Sequence, residues 1–272
     1  MPWVARRDPR LDPRLTPEQW APARRRFLVL LITSLVLLLA AAGTGGYYYT
    51  LSLDKTRQMQ PEQVVEAAGM AIAQAPGYRF VAQLSGQSAD GFFPNAIMSG
   101  TYQREPLLLH LSGEAGAGEQ KVPLEYYLEG TDLYVKNPRS EGWLLVEDAD
   151  MEELYAFQPD NLAAPLVTGL RSARVLGRER LAGGEALQLE LDLDPQVMRI
   201  QAPGTGERVE YRLWVYTRTL KPAQFTIEVA RPGGEDGSRQ AVSFRYQISW
   251  DFGEMDPLAV PDEVKNQAVG SE

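Results

Sequence analysis

The chain has 272 residues, a formal net charge of −9, 44% hydrophobic residues and no cysteine. The lack of cysteine excludes a disulfide framework, a thiolate metal site, a cysteine nucleophile and attachment of lipid through cysteine. Charge is unevenly spread: residues 1–26 hold seven arginines against Asp8, Asp12 and Glu18, and the rest keeps 20 of the 27 basic and 33 of the 36 acidic residues. That remainder is too acidic to favour nucleic acid or adhesion to an anionic lipid surface.

In chain order, residues 1–26 interleave five prolines with charges and have no apolar period, which predicts a disordered tail. Trp3 and Trp20 are its candidate contacts for a protein partner. Residues 27–46 then run FLVLLITSLVLLLAAAGTGG without a charge, directly after Arg24-Arg25-Arg26. Twenty helical residues reach about 30 Å, the thickness of a bilayer's hydrocarbon core. Tyr47-Tyr48-Tyr49 stand where interfacial aromatics sit, so a transmembrane helix is expected over 27–49. Arginine accumulates on the cytoplasmic flank, which puts the tail inside and residues after about 49 outside. A cleaved signal peptide is the rival reading, with cleavage after Ala42. The 26-residue leader and the apolar run past the alanines favour retention as an anchor.

A polar spacer over 50–60 leads into Pro61, which suits the first turn of a helix. Val64, Val65, Ala68 and Ile72 recur at three- and four-residue spacing, and Pro76-Gly77 ends the pattern, so the spacing predicts a helix over 61–75. The period then changes to two. Strands are expected at 78–88, 97–104, 106–113, 122–130 and 133–136, joined by short turn-rich pieces that imply antiparallel hairpins. A helical interruption is expected over 150–170, where Asp150 and Glu153 have capping-box spacing. Strict alternation returns at 187–193, 209–213, 225–229 and 242–250. Each such strand has one wet and one dry face, and the dry face must be covered by the helices near 61–75 and 150–170 and a short one after Pro195. The expected object over 61–272 is an α+β domain of about ten strands, a strongly twisted antiparallel half-barrel around a few helices.

The phrases Leu128-Glu129-Gly130-Thr131-Asp132-Leu133-Tyr134-Val135-Lys136, Val175-Leu176-Gly177-Arg178-Glu179-Arg180-Leu181, Leu213-Trp214-Val215-Tyr216 through Lys221-Pro222, and Trp250-Asp251-Phe252-Gly253 before Val260-Pro261 occur in a telling order. Over residues 58–265 the chain resembles the lipoprotein-carrier superfamily, which includes LolA-like carriers and lipid-binding lipoproteins of the LppX/LprG type. The resemblance implies a hydrophobic cavity between sheet and helices that accommodates acyl chains. Inward-phased candidates to line it are Phe80, Leu84, Leu109, Tyr126, Leu189, Leu213, Phe225 and Phe244, each of which by itself reads first as core, since every half-buried strand shows an apolar stripe at this period. The chain departs from the superfamily in having neither a lipidated cysteine nor, on the anchor reading, freedom to diffuse.

Enzymatic constellations are weak. His110 is the sole histidine, in the leucine-flanked stretch Leu107-Leu108-Leu109-His110-Leu111, which reads as a structural position. Ser52-Leu53-Asp54-Lys55 has the Ser-x-x-Lys spacing of some acylases without their companion motifs. The acidic run at 147–153 has Glu at 153, a position where a calcium loop beginning at Asp148 would need glycine, and is read as helix-start charge. No cofactor is expected. The sequence thus points to a membrane-anchored, extracytoplasmic, non-catalytic binder of a lipid or lipoprotein acyl chain. The alternative is an envelope sensor or regulator that acts through protein partners, in the manner of proteins that restrain anti-sigma factors.

Overall fold

The computed structural model describes residues 53–88, 95–117, 120–138, 142–149, 159–194, 197, 208–231 and 242–270. The expected tail, the transmembrane helix, the Asp150–Glu153 capping pair and the helix after Pro195 lie outside the described residues. Among those described, no helix is long and apolar enough to cross a membrane. Lys55–Glu272 form one compact unit.

A 3-10 turn at Lys55–Gln58 precedes helix α1, Pro61–Gln74. Pro61 at the first position costs no hydrogen bond, because its missing N–H would have had no partner inside the helix. The Gln63 side chain reaches back to the Gln60 N–H at 2.9 Å, satisfying one free donor of the first turn. Val64, Val65, Ala68 and Ile72 are fully buried. Each of the three larger ones contributes about 1.5–3 kcal/mol of burial, which is what holds this short helix in place.

Twelve strands follow among the described residues: β1 Gly77–Ser88, β2 Asn95–Gln103, β3 Leu108–Ala117, β4 Gln120–Glu129, β5 Asp132–Lys136, β6 Trp143–Val146, β7 Leu170–Leu181, β8 Gly184–Leu193, β9 Arg208–Tyr216, β10 Pro222–Arg231, β11 Val242–Asp251 and β12 Ala268–Gly270. Helix α2, Pro159–Thr168, lies between β6 and β7, and α3, Asp262–Gln267, between β11 and β12. They build one open sheet in the order β12-β6-β5-β4-β3-β2-β1-β11-β10-β9-β8-β7. Every pairing is antiparallel except β12 on β6. The α+β class and the antiparallel hairpin pattern agree with the sequence expectation.

Strands β6, β7 and β12 and helix α3 add to it. The tetrad Trp143-Leu144-Leu145-Val146 is strand β6, and residues 170–181 are β7, a twelve-residue edge strand. Register shifts between Leu170 and Ser172 and between Val175 and Gly177 break the alternation of β7, so its sequence carries no clean period.

The sheet has two chemically distinct faces. On the first, α1 packs against β7, β9 and β10, and α2 packs against α1 and β7. Gly69 permits the helices to approach closely, since a Cβ there would sit 2.8 Å from Val167 Cγ2. The main core forms beneath them, from α1 and α2 with Tyr78, Phe80, Leu111, Leu128, Leu189, Leu213, Phe225 and Ile248 among the strand residues. The opposite face is more polar, apart from the patch where α3 lays Val264 over Leu108, Tyr134 and Trp143 and a small buried cluster of Ala186, Trp214 and Ala223.

Candidate functional site

Register places the helix-side residues in continuous rows across the sheet. Leu111 stands opposite Tyr126, Tyr126 opposite Val135, and Val135 opposite Leu144, so one row crosses β3, β4, β5 and β6. A parallel row joins Leu109, Leu128, Leu133 and Val146. Leu109, Leu111 and Leu128 are buried in the main core, whereas Leu124, Tyr126 and Leu133 only flank it. Val135 and Val146 are half-buried, and Val122 and Leu144 are 43% and 41% exposed. Among the described residues the helices pack chiefly on β7, β9 and β10, and an apolar strip on β4–β6, on the same face, is accessible at Val122 and Leu144.

The strip has little electrostatic character. Tyr126 supplies its hydroxyl, and burial raises that phenol above its ordinary range, which keeps it neutral. Charges belong to the other face. There Arg174 pairs with Glu190, Arg212 and Arg208 with Glu210, and Arg245 with Glu228 at 3.5 Å. On that face His110 stacks on Tyr127 at 4.2 Å, and its Nε2 lies 3.5 Å from Glu125 Oε1 without hydrogen-bond geometry, while Glu125 Oε2 bonds Lys136 Nζ at 2.9 Å. Among the described residues no group of three or more histidine or acidic side chains could hold a metal ion.

The eight residues singled out from the sequence fall into two sets. Phe80, Leu109, Leu189, Leu213 and Phe225 are at most 3% exposed in the main core, against one another and the helices. Tyr126 flanks that core, and Leu84 and Phe244 are half-buried beyond it. Leu84 and Phe244 stand at the far end of β1 and β11, and Phe244 with Glu228 and Arg245 borders a cavity of about 740 Å³. Tyr126 thus joins Val122, Leu124, Val135, Leu144 and Val146 in the open strip, and those five were not singled out. The alternation of 122–128 could have indicated two of them, Val122 and Leu124. Leu144 and Val146 lie in an apolar run of four, too short to show a period.

The same architecture is found in solved structures. The chain is similar to LprF from Mycobacterium bovis, with 13% identity, a match covering 75% of this chain and 98% of that one, and a TM-score of 0.51. The sheet domain has the fold of LprF. For the lipoprotein LppX from Mycobacterium tuberculosis the identity is 12%, the coverage 70% and 92%, and the TM-score 0.47. No protein-family model and no curated protein matches the chain. In this domain the apolar strip lies across β4–β6, on the face that carries the helices.

Proposed function

We infer that the protein is a single-pass membrane protein, N-terminus inside, whose extracytoplasmic LolA-like domain binds an acyl chain of a lipid or lipoprotein without catalysis. The observation that carries this reading is the Leu111–Tyr126–Val135–Leu144 row, which runs from a closed core into an accessible apolar surface on one face. An acyl chain gains about 0.8 kcal/mol per methylene removed from water, so a chain laid over such a row needs no polar recognition to bind. The neutral Tyr126 hydroxyl provides one hydrogen bond for an ester or headgroup oxygen. Curling of the sheet into a half-barrel would bring β4–β6 round toward the helices and turn the strip into a trough. Anchoring by residues 27–49 confines the domain to one membrane, which favours holding or sensing a lipid over carrying it across a compartment.

The test is native mass spectrometry, with lipid extraction, of the full chain purified in a detergent-free nanodisc. Near-stoichiometric acylated species that survive exchange against empty nanodiscs, and are lost in Leu144→Asp, support the reading. A domain that takes up no fluorescent fatty acid and is indifferent to Leu144→Asp overturns it.

A further inference from the structure

Along the body of the sheet, cations are matched with carboxylates: Arg79 with Asp251, Lys121 with Glu114, Lys136 with Glu125, Arg174 with Glu190, and Lys265 with Glu129. One corner departs from this. The Thr217 N–H donates to Glu185 O at 3.0 Å, the Lys55 N–H donates to Thr217 O at 2.9 Å, and Arg180 stands across from Glu185 in the β7–β8 register. Lys55, Arg180 and Arg218 therefore emerge from adjacent backbone stations, all three are exposed, and none has a carboxylate within 4 Å among the described residues. Lys221, in the same β9–β10 turn, lies 5.3 Å from the Phe252 ring centroid. Residues 55–57, 178–185 and 216–221 together hold six basic side chains against Glu179 and Glu185. Both acids are engaged, Glu179 by the Trp214 indole N–H at 2.8 Å and Glu185 by Arg178 at 3.2 Å.

Among the described residues, an acidic domain that pairs most of its other cations with carboxylates thus concentrates positive charge around Lys55. Lys55 is nine residues past Gly46, the end of the uncharged run. Nine extended residues reach at most about 32 Å, so the corner cannot leave the neighbourhood of a bilayer that holds residues 27–46. The geometry points to this corner, Lys55, Arg180, Arg218 and Lys221, as a docking surface for the anionic phospholipid headgroups of that bilayer, an assignment that rests on the anchor reading. Each cation near an anionic surface shifts such a contact by about fivefold, and the attraction decays within about 8 Å at physiological ionic strength. Docking through this corner sets the tilt of the domain and holds it against the lipid source, while the negative charge of the rest of the domain prevents it from lying flat.

The absence of cysteine from the sequence makes the test clean. Single cysteines at Ala182, in the β7–β8 turn, and at Ser243, near the start of β11 at the opposite end, are labelled with an environment-sensitive dye in the full chain. The chain is placed in nanodiscs of phosphatidylcholine with or without phosphatidylglycerol, each carrying a headgroup spin label. Quenching at 182 that rises with phosphatidylglycerol, falls in high salt and is lost in Lys55→Gln/Arg180→Gln/Arg218→Gln, with 243 unchanged, is the expected result. Equal quenching at 182 in both lipids, or unaltered quenching in the triple variant, overturns the docking surface even when the chain is inserted. Failure of insertion with the lipid-dependent signal retained on added vesicles removes the anchor and keeps the surface. Loss of both removes both.

Discussion

Glu62, in the first turn of α1, accepts a hydrogen bond at 3.0 Å from the backbone N–H of Ala173 in β7, 111 residues away. An edge strand exposes unpaired N–H groups that invite pairing with another chain. Here one of them is closed by a helix, the Val175–Gly177 bulge distorts the strand further on, and arginines line its length. The same bond seats α1 at the edge of the sheet.

The Ala173 hydrogen bond, followed by Glu62's own backbone N–H, holds the Glu62 carboxyl below its ordinary value of 4.5. A lowered folded value means stability that is present above the ordinary value and lost as pH falls through the lower, folded one. Glu62→Ala is therefore expected to flatten the pH dependence of unfolding below about pH 5, measured by urea titration at steps from pH 7 to 3. Asp251, lowered by its hydrogen bond to Arg79 and then by the Gly253 N–H, contributes with the same sign and leaves a residual slope in the variant.

Gly100 in β2 faces the Phe80 ring, and a Cβ there would lie 2.2 Å from Phe80 Cζ. Overpacking of this kind costs about 1–3 kcal/mol when the ring must shift. Gly100→Ala should lower the free energy of urea unfolding by that amount, and Phe80→Leu should recover part of the loss in a double-mutant cycle. Additive effects would mean that ring and glycine do not compete for the same space.

Tyr246 packs against the main core and buries its hydroxyl without a hydrogen-bond partner, which pushes its pKa up to about 12. Removing an unsatisfied buried polar atom is neutral or stabilising, so Tyr246→Phe should hold or raise stability by up to about 1–2 kcal/mol at pH 7. A raised folded value also means stability that is complete below pH 10 and lost as pH rises toward 12. The variant should shed that alkaline loss, read as a higher midpoint for unfolding by base.

Leu213 and Leu144 separate core from strip. Leu213 is fully buried, and Leu213→Ala should cost about 2–5 kcal/mol in thermal or urea unfolding whatever the ligand. Leu144, at 41% exposure, should tolerate Asp with a loss of about 1 kcal/mol or less and yet lose bound acyl species. The opposite ranking, with Leu144→Asp unfolding the domain, would make the strip part of the core.

The sequence by itself determined the class of the fold. Alternation at 187–193, 209–213, 225–229 and 242–250 gave strands with one dry face, and the spacing of Val64, Val65, Ala68 and Ile72 gave the helix that covers it, because those periods are properties of a backbone with its own neighbours. Tertiary structure alone decided where that cover ends. Strand pattern alone does not tell that Leu213 is covered and Leu144 is not, since both are apolar residues on the same face of the sheet. One is fully buried and the other 41% exposed because α1 and α2 lie over the β7–β10 side of the sheet and leave the β4–β6 side accessible, a matter of long-range packing. The unpaired corner follows the same logic: the total charge was legible in composition, but which cations find a carboxylate depends on cross-strand register, fixed only when Lys55, Glu185 and Thr217 meet.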